Sequence, residues 1–229
     1  MSAPGISFAA RGLARRFDRG LVTALSGLDL EIAPGERLAI TGPTGCGKST
    51  LLSILALLDR PDDGELEIDG HPARSISSPE DWRAANVGII FQFHHLLAHL
   101  TTLENVRVPL AGRCGRREAG ERARAAVSRL GLDSRSATLA ANLSGGERQL
   151  TALARALVVA PRLILADEPT GNVDSATGER IVDALLTSSY RDGSTLVVVT
   201  HDPRLAGRLD RVVAMRDGKT APPEEDHER

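Results

Sequence analysis

No apolar run in this 229-residue chain reaches the roughly 18–20 residues that a helix needs to cross a bilayer. The sequence therefore predicts no membrane span. The opening residues, Met1-Ser2-Ala3-Pro4-Gly5, lack the basic and apolar regions of a secretion signal, so a cytoplasmic chain is expected. Cysteine is scarce: Cys46 and Cys114 offer no disulfide framework. Positive charge is not in excess. A formal net charge of −2 argues against a generic nucleic-acid binder, whose affinity needs a basic field. Internal repeats are absent. Lysine is rare too, with Lys48 and Lys219 alone among 28 basic residues. Codon bias accounts for the arginine excess, but against it Lys48 is informative. A compact ammonium on a flexible stem suits a phosphate loop, where a guanidinium fork does not replace it easily.

What is present is enough for one domain. The length and a hydrophobic share of 41% allow a sizeable core, with room for an inserted subdomain. Ile6 to Ile32 predicts short antiparallel strands, with turns at Arg19-Gly20 and Ser26-Gly27. Pro34-Gly35 is a turn, and Arg37 to Thr41 a buried strand. Lys48 to Leu58 reads as a buried helix. Pro61-Asp62-Asp63-Gly64 is a turn before a strand at Glu65 to Ile68, and Val87 to Phe91 is another buried strand. From about Phe93 to Pro161 the pattern is largely helical, with periodicity plain at Leu150, Leu153, Ala154, Leu157 and Val158. Leu163 to Ala166 and Leu196 to Val199 are continuous apolar runs, as strands covered on both faces tend to be. Ser175 to Tyr190 between them reads as a helix. Strands alternate with helices, interrupted by a helical insert. The tail from Ala221 to Asp226 has a disordered composition.

Three segments carry chemistry. Gly42-Pro43-Thr44-Gly45-Cys46-Gly47-Lys48-Ser49 fits G-x-x-x-x-G-K-[ST] between a strand and a helix. Its glycines let the backbone curl so that several N–H groups face phosphates, and the helix dipole acts at the same point. Lys48 is placed to reach the β/γ oxygens and Ser49 to ligate Mg²⁺, with Thr50 next in line. Asp167 and Glu168 end an apolar strand at its carboxyl edge, where ligands bind in open α/β sheets. Adjacent carboxylates repel unless a metal or proton intervenes. The natural assignment is Asp167 toward the metal and Glu168 toward an attacking water as general base. In Leu143-Ser144-Gly145-Gly146-Glu147-Arg148-Gln149, Ser144 and Glu147 form a capping box. That segment alone is satisfied by a capped helix. Its two glycines, which weaken a helix by up to about 1 kcal/mol each, also permit close approach to an anion. Together the three segments point to ATP binding with a divalent metal, and to hydrolysis.

Over nearly its whole length the chain resembles the nucleotide-binding subunits of ABC transporters. The resemblance implies a P-loop NTPase (RecA-like) α/β core, an N-terminal antiparallel β subdomain and an inserted helical subdomain at about 93–161. Residues 1–220 would form a single nucleotide-binding domain, with 221–229 a disordered tail. Leu143 to Gln149 is similar to the family's signature stretch. The resemblance implies a head-to-tail homodimer in which Ser144, Gly145 and Gly146 meet the ATP held by the opposite phosphate loop. It further implies that Gln92 senses the metal and a membrane partner, that His201 lies near the γ-phosphate, and that Asp174, in Asn172-Val173-Asp174, lies at the dimer seam. Phe17 sits where the family places an aromatic against adenine; a core role is the alternative. Phe91 to Leu97, Leu103 to Val106 and Ala166 to Asn172 resemble the lipoprotein-release subfamily and its macrolide-exporter relatives. His94, His95 and His99 could instead suggest a metal site, His95 and His99 having i,i+4 spacing, but no carboxylate or cysteine joins them. A surface for a membrane partner is the other reading. Cys46 stands where relatives often have serine, and Leu150-Thr151 also departs from the usual pattern.

Three functions compete at this level. The first is the energy-coupling ATPase of a transport or extrusion complex, peripheral on the cytoplasmic face of the inner membrane, with permease subunits on separate chains. The second is a soluble ATPase acting on nucleic acid or ribosomes, which the compact spacing from Lys48 to Leu143 and the acidic balance disfavour. The third is a regulatory ATPase of a membrane complex, of the division-associated type.

Overall fold

A long hairpin starts the fold. The computed structural model describes residues 5–171 and 173–221. β1 (Phe8–Phe17) and β2 (Val22–Ile32) pair antiparallel around a tight turn at Asp18–Gly20. The turn expected at Ser26-Gly27 does not form. β2 runs straight through it, and the register steps from Leu13↔Leu28 to Ala14↔Ser26. Gly27, at φ +81°, is absorbed as a bulge rather than a corner. β4 (Asp63–Ile68) pairs with the other side of β1, and β5 (His71–Pro72) lies beyond it. The predicted turn at Pro61 to Gly64 is therefore shorter than expected, since β4 already begins at Asp63. Leu66 and Ile68 point into the core while Glu65 is exposed, as period-two alternation requires.

The second sheet has the order β10-β9-β3-β8-β7-β6. Its members are β3 (Arg37–Thr41), β6 (Val87–Ile90), β7 (Leu163–Asp167), β8 (Thr195–Val199), β9 (Arg211–Arg216) and β10 (Lys219–Ala221). All neighbours are parallel except β10, which closes the edge antiparallel. Both faces of β7 and β8 are covered, which explains their unbroken apolar sequence. Leu163, Leu165, Val197 and Val199 join the core beneath the antiparallel sheet. Ile164, Ala166, Leu196 and Val198 join the core beneath the helical layer.

The helices are α1 (Lys48–Leu55), α2 (Pro79–Asn86), α3 (Thr102–Arg107), α4 (Arg116–Arg129), α5 (Gly145–Leu157), α6 (Ser175–Asp192) and α7 (Pro203–Ala206). α1 stops short of the expected Leu58, because Leu57 turns to φ +54°. The helical stretch expected from Phe93 begins only at Thr102. Buried Asn105 explains the delay: its amide oxygen accepts the Leu97 N–H at 2.9 Å, and its amide nitrogen donates to the carbonyls of Leu97, Leu100 and Thr101 at 3.0–3.2 Å. One side chain thus satisfies backbone groups that a helix would otherwise pair. α2, β9 and β10 lie outside the expected elements, although Ser78-Pro79-Glu80-Asp81 is a helix-start pattern, with Ser78 Oγ accepting the Asp81 N–H at 3.3 Å. Ala221, read as the start of a tail, ends β10; residues 222–229 lie outside the described residues, as do 1–4.

Candidate nucleotide site

The phosphate loop leaves the carboxyl end of β3 and enters α1 at Lys48. Gly42 has φ +140° and Gly47 φ +104°. A Cβ on Gly42 would lie 2.1 Å from the Met215 carbonyl, and one on Gly47 2.2 Å from the Ala24 carbonyl. The loop is pressed onto β9 and β2, so glycine is required at both ends by packing as well as by dihedral. Gly45, at φ +83°, faces open space. Pro43, Thr44 and Gly45 form the exposed rim, while Cys46 is buried beneath it. Lys48 Nζ donates to the carbonyls of Gly42 at 2.7 Å and Pro43 at 2.8 Å, which hold the ammonium inside the curl. The first N–H groups of α1 have no partner within the helix, and its dipole adds positive potential there. Such a cradle fits an anion.

Asp167 closes β7, level with Val199 of β8. Burial pushes its carboxyl pKa up. A hydrogen bond from the Ser49 side chain opposes this, the charge of Glu168 adds to the rise, and that of Lys48 opposes it. Two hard oxygen groups, a hydroxyl and a carboxylate, therefore meet beside Lys48, a donor set that suits a small divalent cation. Glu168 leaves the strand with φ +46°, unusual for a residue with a side chain. Its N–H donates to the Val199 carbonyl at 2.9 Å, and its own carbonyl accepts from the Gly171 N–H at 3.2 Å. The kink re-aims the carboxylate: Oε2 lies 2.8 Å from Nδ1 of His201, at the end of β8. Strain of this kind costs about 1–3 kcal/mol and collects at functional sites. Lys48, Ser49, Asp167, Glu168 and His201 thus share one sheet edge, although they come from three separate stretches of chain.

The signature stretch lies elsewhere. Ser144 Oγ accepts the Glu147 N–H at 3.3 Å, and Glu147 Oε2 accepts the Ser144 N–H at 2.8 Å, completing the capping box. Arg135 Nε pairs with Glu147 Oε1 at 2.6 Å. Asp174 caps α6, accepting the Thr177 N–H at 3.0 Å. Ser144, Gly146, Arg135, Asp174 and Arg180 line one cavity of about 320 Å³, which no phosphate-loop residue lines. Within one chain the two anion-directed helix starts do not share a pocket. A cavity of about 340 Å³, lined by Ile54, Leu57 and Leu66 together with charged Asp59, Arg60 and Glu65, includes none of these groups.

Other expected residues are placed as follows. Gln92 is exposed just past β6. Phe17 is 38% exposed, with the Arg15 guanidinium 4.7 Å from its ring centre. Because Phe93 to Leu100 is not helical, the i,i+4 spacing of His95 and His99 does not set them on one helix face. His94 is held below the usual histidine range, by burial first and then by the charge of Arg148. Two contacts were not legible in the sequence. Arg155 of α5 donates to the carbonyls of His95 at 2.6 Å and His94 at 2.8 Å, clamping the stretch after Gln92. Gln149 Nε2 donates to the Pro169 carbonyl at 2.9 Å, while Gln149 Oε1 is buried without a partner among the described residues. An orphan of that kind costs about 1–3 kcal/mol.

A glycine cradle with a lysine, a hydroxyl–carboxylate pair and a strained glutamate at the carboxyl edge of a parallel sheet define a P-loop nucleotide-binding α/β protein. Comparison with known proteins narrows the class. Residues 25–171 match the model of the ABC transporter family. The lipoprotein-releasing system ATP-binding protein LolD of Ruegeria pomeroyi is 48% identical over 203 residues, covering 87% of this chain and 89% of that one. LolD of Shewanella oneidensis is 43% identical, covering 93% and 95%. Among solved structures, the ATP-binding cassette MJ0796, a dimer in a post-hydrolysis state bound to ADP and Pi, superposes with a TM-score of 0.88 at 35% identity, covering 94% of this chain and 97% of that one. This chain belongs to the ABC transporter family, as an ABC-type ATPase subunit of the LolD-like group.

Proposed function

We propose that this chain is the ATP-hydrolysing subunit of a lipoprotein-releasing complex, working as a pair of copies beneath separate membrane subunits at the cytoplasmic face of the inner membrane. Support for the cargo comes from relatives named for lipoprotein release. The pairing is supported by the dimeric cassettes and by the separation of the two anion-directed helix starts. The chain through Ala221 serves as one nucleotide-binding domain, with an insert at about 93–161 that is helical from Thr102. No helix among the described residues is long and apolar enough to cross a membrane.

The loop from Gly42 to Ser49, extended by Thr50, wraps the ATP phosphates with backbone N–H groups, and Lys48 swings from its two carbonyls to the β/γ oxygens. Phe17 offers a ring face to the adenine. Ser49, Asp167 and Gln92 would hold Mg²⁺, which when bound would neutralise charge on the phosphates. Glu168 accepts a proton from the attacking water as the water oxygen bonds to the γ-phosphorus. The bond to the β–γ bridging oxygen breaks, and ADP keeps that electron pair. His201 holds the Glu168 carboxylate through Nδ1 and faces the γ-phosphate. Ser144, Gly145 and Gly146 of one copy close over the ATP of the other, with Asp174 at the seam. Gln92 and the stretch clamped by Arg155 face the membrane subunits.

The observation that carries this reading is the convergence of Lys48, Ser49, Asp167 and the Glu168–His201 pair on one sheet edge. Glu168→Gln tests it. The variant keeps shape but not basicity, so it should bind ATP normally, accumulate as an ATP-bound dimer on a sizing column and lose turnover by at least about a hundredfold. Hydrolysis at the unmodified rate would remove Glu168 as the base.

A further inference from the structure

Among the described residues, Gln149 is the side chain that hydrogen-bonds the signature helix to the turn carrying Glu168. It lies on α5, five residues past Ser144, and is only 2% exposed. Its Nε2 donates to the carbonyl of Pro169, the residue that follows Glu168. Its Oε1 is buried and unpartnered among the described residues. A leucine or methionine of similar size would remove the orphan oxygen but would also take the donor from the buried Pro169 carbonyl, so the two effects oppose each other and stability does not select glutamine strongly here.

The turn carrying Glu168 is strained, and beside the Glu168–His201 side-chain pair three hydrogen bonds hold its backbone among the described residues. Two come from its own neighbourhood: the Glu168 N–H bond to Val199 and the Gly171 N–H bond to the Glu168 carbonyl. The third is Gln149, the one such bond among the described residues that comes from the helix beginning at Ser144. A shift of α5 along its axis therefore reaches the peptide next to Glu168 through one buried hydrogen bond.

We propose that Gln149 is a positioning residue that links the signature helix to the base of its own chain. This rests on the proposed function, in which the signature of a chain meets ATP in one site while its Glu168 serves the other. An anion seated on Ser144 and Gly146 fixes α5, Gln149 carries that placement to Pro169, and Glu168 is set for the second site. Occupation of one site thereby readies the other, and turnover rises cooperatively with ATP.

The test is steady-state ATPase of the full chain across ATP concentration, with thermal melting alongside, for wild type, Gln149→Leu, Gln149→Met and Glu168→Gln. Gln149→Leu exchanges the orphan on Oε1 for one on the Pro169 carbonyl, so it should melt within about 4 °C of wild type and bind nucleotide with unchanged affinity. Its maximal turnover should fall about tenfold, and its Hill coefficient should fall toward one. Gln149→Met should behave likewise, covering the case in which the leucine variant folds poorly. Wild-type turnover and cooperativity in either apolar variant overturn the proposal. So does a loss of turnover that merely follows a lower melting temperature in both. If Glu168→Gln is silent while the Gln149 variants are normal, this inference alone fails. If Glu168→Gln hydrolyses ATP normally, the assignment of the base fails first.

Discussion

Replacing Ser144 by alanine separates two roles for the start of α5. As a cap, the Ser144 hydroxyl accepts a single N–H, that of Glu147, at 3.3 Å, beyond the usual range for a strong bond. The other half of the capping box uses the Ser144 backbone and survives the change, and Arg135 still holds Glu147. The loss therefore belongs at the low end for caps, about 0.5–1 kcal/mol. For a chain of this size that lowers the melting temperature by about 1–4 °C. As a contact to the phosphate held by a second copy, the same hydroxyl meets developing charge. Losing one such donor costs about 10²–10³ in turnover. The two magnitudes differ enough to be told apart in one preparation. The measurements are steady-state hydrolysis at 25 °C, well below melting, a thermal melt, and nucleotide affinity of the separated monomer. The expected result is a small melting shift, unchanged monomer affinity and a loss of at least about a hundredfold in rate. A turnover close to wild type would reduce Ser144 to a helix cap and refute the two-copy site.

Two further outcomes are expected. Gly47→Ala should lower the urea midpoint more than Gly45→Ala, since only the first drives a Cβ to 2.2 Å from a backbone carbonyl while both demand a positive φ; the reverse order would sink the packing account of the loop. Acid should weaken the signature cap. The Glu147 carboxyl is held below the usual carboxylate range, first by the Ser144 N–H and then by Arg135. A lowered native pKa means that the folded chain binds fewer protons than the unfolded one in mild acid, so the stabilisation is complete above the unfolded value and lost as pH falls through the native one. The melting-temperature gap between wild type and Glu147→Gln should be full near pH 6 and shrink below about pH 4; a gap independent of pH would show that the charge of Glu147 does not contribute.

The short buried strands were legible because their burial on both faces leaves an unbroken apolar run, as in Leu163 to Ala166. The hairpin was misread at Ser26-Gly27, because a glycine with positive φ serves a bulge as well as a turn and only cross-strand pairing decides which. The irregular stretch after Gln92 was hidden by its helical composition, since the Asn105 bonds that hold it span eight residues and cannot be read from local spacing.

The chain's own order of residues determined the chemistry on offer: a glycine cradle ending in Lys48-Ser49, paired carboxylates at the end of a buried strand, and a capped glycine-rich helix start. These are local patterns, set by backbone dihedrals and by neighbours a few positions apart. Which groups act together was decided only by the fold. Parallel pairing of β3, β7 and β8 brings Ser49, Asp167, Glu168 and His201 to one edge, while the helical layer carries Ser144 away to a different cavity. The physical reason is that hydrogen-bonded strands align residues far apart in sequence, and a contact such as Gln149 to Pro169 exists only once two separately formed elements have packed.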